Sequence, residues 1–187
     1  MKTTEQKQVV VGADFAGFAL KESVTRHLEQ RGWTVTDLTP DAETAPMYQR
    51  AGFLVGSRIA EGEFEKALVF CGSGMGIHIA ASKCPHVHSA VCESVPTARR
   101  AATANNANVL AIGAFFTAPR LAKAMADAFL DSSLGDGYEE WDGFAEYHRL
   151  GYDECEEFDY EAYKANGFEV PDARTVALGP EPRGLAF

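Results

Sequence analysis

The sequence predicts a doubly wound α/β fold: a five-stranded parallel sheet with helices on both faces, plus a helical or extended C-terminal tail. Three observations predict it. Short, wholly apolar runs read as buried strands, stretches of helical periodicity separate them, and the alternation persists from Gln8 to Leu130 before the composition changes.

Residues 8–12 (QVVVG) form the first buried strand. A helix over 18–31 follows, with Ala19, Leu20, Val24 and Leu28 at helical spacing, and stops at Gly32. Residues 33–38 read as the second strand, and a helical pattern covers 47–61 after Pro46. The third strand is 66–70 and the third helix 76–83. Residues 87–92 give the fourth strand, the alanine-rich 97–105 the fourth helix, and 108–112 the fifth strand. An amphipathic helix over 119–130 opens on a proline, which suits a first helical turn. Such an order places ligands beyond the carboxyl ends of the strands.

After Ser132 the chain breaks at Gly135-Asp136-Gly137 and becomes acidic and aromatic over 138–164, then extended around Pro171, Pro180 and Pro182. This divides the chain into a domain of residues 1–132 and an extension of 133–187. The extension has too little apolar sequence for its own core and is expected to pack on the domain or on a partner subunit.

A length of 187 residues with 46% hydrophobic and 11% aromatic residues is ordinary globular composition. The net charge of −10 and pI near 4.9 argue against nucleic acid or an anionic membrane as partner and favour a small molecule. No apolar run approaches the roughly 20 residues of a bilayer span, and no signal-like segment opens the chain, so a cytoplasmic protein is expected. Cys71, Cys84, Cys92 and Cys155 lie mostly in apolar segments, which favours reduced thiols over a disulfide framework.

The most informative segment is Cys71-Gly-Ser-Gly-Met-Gly76. A buried strand that ends in cysteine, turns through three glycines and enters a helix sets a thiol beside free backbone N–H groups, so a nucleophile or base and an anion cradle arrive together. The alternatives are a buried, inert thiol and a plain tight turn. Cys84, His86, His88 and Cys92 contain metal-ligating types, but their spacing is unlike a closed zinc site, and ordinary packing or surface placement is expected, with no metal and no cofactor. The acids of 153–159 lack the pattern of a calcium loop and read as a solvated helix face.

Three segments in register, Val11-Gly-Ala-Asp14 with Ala16-Gly-Phe-Ala-Leu-Lys21, then residues 71–83, then Asn105-Asn-Ala-Asn-Val-Leu-Ala-Ile-Gly113, resemble the ribose-5-phosphate isomerase B and galactose-6-phosphate isomerase family. The resemblance runs from about Val9 to Leu130. It implies a Rossmann-like aldose–ketose isomerase working through an enediolate, as a homodimer or dimer of dimers with shared active sites. By the same resemblance Cys71 is the base and the Ser73 hydroxyl assists proton shuttling. Gly72, Gly74, Met75 and Gly76 form the substrate loop, whose amides hold enediolate charge. Asp14 holds substrate hydroxyls, and Asn105 reaches the site from the neighbouring subunit; the alternatives are a helix cap for Asp14 and a helix end for Asn105.

The departures from the family pattern are equally specific. Phe15 replaces a histidine, Ala104-Asn105-Asn106 replaces His-Asn-Asp, and Ala45-Pro46-Met47 replaces Tyr-Pro-Asp. The phosphate-gripping Gly-Gly-Arg-His segment corresponds to Gly137-Tyr-Glu-Glu140, with no arginine nearby in sequence, so a phosphate would need Arg149, Arg174 or Arg183 to fold back. His78, on the loop helix where the family has a small residue, is a possible replacement acid. The expectation is therefore an isomerase of a small sugar phosphate, or of a related open-chain keto-sugar or sugar acid. The alternatives are a non-catalytic sugar-binding paralogue or subunit of a hetero-oligomeric isomerase, and epimerisation on the same scaffold.

Overall fold

The computed structural model describes residues 7–170 and 174–182. Strands β1 (Gln8–Ala13), β2 (Thr34–Asp37), β3 (Ala67–Cys71), β4 (Ser89–Val91) and β5 (Val109–Gly113) alternate with helices α1 (Phe18–Gln30), α2 (Tyr48–Ala60), α3 (Met75–Ala81), α4 (Val95–Thr103) and α5 (Pro119–Leu130). All five strands are parallel, in the order β2-β1-β3-β5-β4.

Strand residues point alternately to the two faces of a sheet, and here both faces are covered. Val9, Val11, Leu68, Phe70, Leu110 and Ile112 join a core with α1, α4 and α5, whereas Val10, Val69, Cys71, Val109 and Ala111 join one with α2 and α3. Double coverage is why β1, β3 and β5 read as unbroken apolar runs. β4 is shorter than the predicted 87–92, because it pairs only with β5 at the sheet edge and its residues are only half-buried.

From β1 the chain turns to β2 on one side and returns to β3 on the other. That reversal opens a crevice beyond the carboxyl ends of β1 and β3, where Asp14 and Cys71 stand. One support for it is not legible in the local sequence. Lys21 is fully buried in α1, and its Nζ donates to Asp37 Oδ2 at 2.5 Å and to the Thr39 carbonyl at 2.6 Å, while Thr39 Oγ1 accepts the Ala13 amide at 2.9 Å. Lys21→Met should leave Asp37 without its cation and cost about 3 kcal/mol of stability, read as a lower urea midpoint.

Beyond α5, helices α6 (Phe144–Glu156) and α7 (Tyr160–Ala165) follow. Phe144 is buried and stacks on Tyr138 with ring centroids 4.0 Å apart, and the Gly135 amide donates to the Thr103 carbonyl at 2.8 Å. Pro171 and Arg183 lie outside the described residues. The reading of 153–159 as a solvated face needs correction at Glu156, whose carboxylate is hydrogen-bonded by both His86 and His88. Burial pushes this carboxylate up, but the hydrogen bonds and charge of the two imidazoles outweigh it and hold it below its ordinary 4.5. A depressed carboxylate contributes stability above its unfolded value and loses it as pH falls through the folded one. The protection factors of the α6 amides against hydrogen exchange should therefore fall on acidification below about pH 4.5, and Glu156→Gln should lower them already at pH 7.

Candidate active site

Cys71 closes β3 and is 3% exposed, at the margin of the core on the α2–α3 side. Its Sγ accepts the Gly74 amide at 3.1 Å, across a turn that depends on Gly74 at φ +79°, a left-handed conformation available to glycine at little cost. The Met75 amide donates to Ser73 Oγ at 3.3 Å. Among the described residues, the amides of Gly72, Ser73 and Gly76 have no protein acceptor. The expected ring of free amides thus has three open members, and the Gly74 amide serves the sulfur. A donor aimed at sulfur and open donors beside it suit charge developing near Cys71.

Asp14 is buried, and its Oδ1 accepts the Gly17 amide at 2.8 Å, so one oxygen holds the turn into α1, as a cap would. That turn rests on β3. A methyl group added at Gly17 would lie 2.4 Å from the Phe70 carbonyl carbon and 2.7 Å from the Cys71 nitrogen. Asp14 and Cys71 are therefore carried by directly abutting segments. The Phe115 ring packs on Gly72 and the Tyr48 ring on Gly76, walling the loop on two sides. Tyr48 was not singled out from sequence, although its position just after Pro46 and Met47, at the start of a helix, was the available signal. Phe15, Met75, Ile79, Phe115 and Phe116 are all exposed.

His78 is half-buried, its Nδ1 is enclosed with no hydrogen-bond partner among the described residues, and burial pushes the imidazole below its ordinary 6.5. A neutral imidazole at pH 7 is a poor reserve of acid, which weighs against the replacement role. Asn105 does not meet Cys71 within one chain. It lies exposed just past α4, while Asn106 takes the left-handed conformation at φ 48° that turns the chain toward β5. Asn105 lines two cavities of about 750 Å³ and 510 Å³, and neither is lined by residues 71–76.

The smaller cavity corrects one expectation. Arginines do stand beside Gly137 and Tyr138, supplied by α4 and not by the tail: Arg99 and Arg100 line it together with both residues. Of the tail arginines, Arg174 pairs with Glu157 at 3.2 Å, and Arg149 lies on a separate surface hollow with Leu134 and Ala145. Among the metal-ligating types of 84–92, His86 and His88 are committed to Glu156, and Cys84 Sγ faces the Phe53 carbonyl at 3.8 Å. Burial raises the thiols of Cys84 and Cys92. Among the described residues no group of three or more His, Cys, Asp or Glu side chains could hold a metal ion, and no helix is long and apolar enough to cross a membrane.

Comparison with known proteins places this geometry. The Ribose/Galactose Isomerase family matches residues 9–141, extending beyond the Leu130 at which the motif resemblance ends. A 4-deoxy-4-sulfo-D-erythrose isomerase of Clostridium sp. strain MSTE9 is 38% identical over 135 residues, covering 72% of this chain and 85% of that protein. A D-erythrulose-4-phosphate isomerase of Pectobacterium atrosepticum is 36% identical over 131 residues, covering 69% of this chain and 86% of its own. The solved ribose-5-phosphate isomerase B of Clostridium thermocellum superposes with a TM-score of 0.71 at 28% identity, covering 85% of this chain and 99% of that one. The chain belongs to the ribose/galactose isomerase family and is a sugar isomerase of the aldose–ketose class.

Proposed function

We propose that the protein interconverts an open-chain aldose and ketose of four carbons bearing an anionic group at C4, with Cys71 as the base. The observation that carries the proposal is the Cys71 sulfur, held by the Gly74 amide at 3.1 Å among the open amides of Gly72, Ser73 and Gly76. The Cys71 thiolate removes the C2 proton of the aldose, the electrons pass through the C1–C2 bond onto the carbonyl oxygen, and the amides carry that enediolate charge. Reprotonation at C1, with the O2 proton moved to O1 by the Ser73 hydroxyl, gives the ketose. Asp14 Oδ2 is left to position substrate hydroxyls.

Two relatives act, by name, on 4-deoxy-4-sulfo-D-erythrose and D-erythrulose 4-phosphate. A tetrose whose C4 oxygen is esterified or replaced has no hydroxyl placed to close a five-membered ring, so it stays open. An open substrate needs no ring-opening acid, which agrees with Phe15 and Ala104 at the positions where the family pattern has histidine. The exposed apolar rim of Phe15, Met75, Ile79, Phe115 and Phe116 supports a homodimer that buries it and brings Asn105 of one subunit to Cys71 of the other. Incubation with D-erythrulose 4-phosphate in deuterated water tests the reading. Deuterium incorporation at the carbon-bound position of the product is expected, and neither exchange nor turnover with the phosphate or sulfonate tetroses sinks it.

A further inference from the structure

We infer that Arg99, on α4, receives the anionic tail of the substrate for the active site of the partner subunit. The inference rests on the isomerase reading above and names the residue that would recognise the substrate's charge.

The approximately 510 Å³ cavity bounded by Arg99, Arg100, Asn105 and Tyr138 is an unusual place in this molecule. The chain carries a net charge of −10, which opposes the approach of any anion, yet two consecutive guanidinium groups share one cavity wall. Among the described residues the only carboxylate on that wall is Asp136, whose Oδ2 is already engaged by the Ser133 amide at 2.7 Å. Glu139 is exposed, does not line the cavity and accepts the Gly137 amide at 3.0 Å. Its charge is therefore directed at the turn, although Arg99 also lowers its pKa as a lesser cause after the backbone hydrogen bonds.

Arg100 is held in place by the segment after α5, and Arg99 stands exposed beside it. Arg100 Nη1 donates to the Tyr138 hydroxyl at 2.6 Å, and its guanidinium lies 5.0 Å from the Tyr138 ring centroid and 5.4 Å from that of Phe144. Gly137, at φ +82°, leaves room for Arg99: a methyl group there would sit 2.8 Å from Arg99 Nη2. A planar guanidinium fork beside a glycine turn offers paired donors to a tetrahedral oxyanion, phosphate or sulfonate alike. Asn105, the residue expected to reach the partner's Cys71, lines the same cavity. The end of the substrate remote from the enediolate would then meet Arg99.

The test compares wild type with Arg99→Gln and Arg99→Lys on D-erythrulose 4-phosphate, 4-deoxy-4-sulfo-D-erythrose and uncharged D-erythrulose. Arg99→Gln should reduce the preference in kcat/KM for both anionic substrates over the uncharged one by roughly ten- to a hundredfold, mainly through KM, with partial recovery in Arg99→Lys. An unaltered preference overturns the inference while leaving the isomerase reading intact. Calorimetric titration of Cys71→Ala with inorganic phosphate separates the two in the other direction, because binding abolished by adding Arg99→Gln supports the anion site even where no substrate is turned over. Mixed dimers assign the subunit. Each heterodimer of Cys71→Ala with Arg99→Gln contains one site with both native residues, so refolding an equal mixture should restore wild-type preference in about a quarter of all sites. No restoration places Arg99 in the same protomer's site as its Cys71 and overturns the shared arrangement.

Discussion

Cys71→Ala is expected to lower kcat by roughly 10²- to 10⁴-fold, the usual contribution of a positioned base, while the protein stays folded. Two physical quantities make this loss separable from damage. The lost side-chain volume is small and the Gly74 amide loses a single acceptor, so the urea midpoint should shift by no more than about 1–2 kcal/mol equivalent. The hydrogen-bonded partner is the backbone of the same loop, so the turn keeps the conformation set by Gly74. Cys71→Ser retains the hydrogen-bonding position with a far less acidic group and should recover little activity. Isotope exchange at the carbon next to the carbonyl should fall in parallel with kcat, because both need the same proton removal. Full activity in Cys71→Ala would transfer the base elsewhere, with His78 next in line because burial favours its neutral, proton-accepting imidazole.

Gly74→Ala should be nearly as damaging to turnover, by a different route. At φ +79° an alanine pays about 1–2 kcal/mol for the left-handed conformation, and its methyl would lie 2.9 Å from the Gly113 nitrogen and 3.1 Å from the Ile112 carbonyl carbon. Those atoms belong to the carboxyl end of a central strand and cannot retreat as a flexible side chain would, so the loop must move. The Gly74 amide then leaves Cys71 Sγ, and the open amides of Gly72 and Ser73 lose their aim. Displacements of about 1 Å in a catalytic constellation cost on the order of a hundredfold in rate, and that is the expected loss, with about 2–4 kcal/mol of stability. Gly32→Ala is the control. It has the same φ of +79° but nothing within 4 Å of the added methyl, so it should cost about 1 kcal/mol and leave kcat unaltered. Equal kinetic damage in both variants would mean that strain alone, and not the aim of the loop at Cys71, governs the rate.

The local geometry of the Cys71 loop was legible from residues alone. Cys71 to Gly76 is a strand end, a turn and a helix start within six positions, so the identities of neighbours in sequence are also the identities of neighbours in space. Asp14 entered through the family resemblance, and its local contact is the turn that closes three residues later at Gly17. The arginines were not legible. Arg100 meets Tyr138 across 38 positions, and the local sequence around Gly137 shows only Glu139 and Glu140, so reading along the chain suggested an anion-repelling segment where the fold assembles cations. Glu156 is a similar case, because its partners His86 and His88 lie about 70 residues earlier, on the loop leading into β4.

The sequence by itself determined the alternation of strands and helices, the two-sided burial of β1, β3 and β5, and the cysteine–glycine loop at a strand end, because each depends on the spacing of apolar, glycine and polar residues within a few turns or strand lengths. Only the tertiary structure decided that Lys21 is buried to brace the crevice, that α4 lends Arg99 and Arg100 to the turn after α5, and that Asn105 stands apart from its own chain's Cys71. These outcomes depend on which distant segments the sheet order brings side by side, and a pairing of side chains across dozens of residues leaves no periodic trace in either partner's neighbourhood.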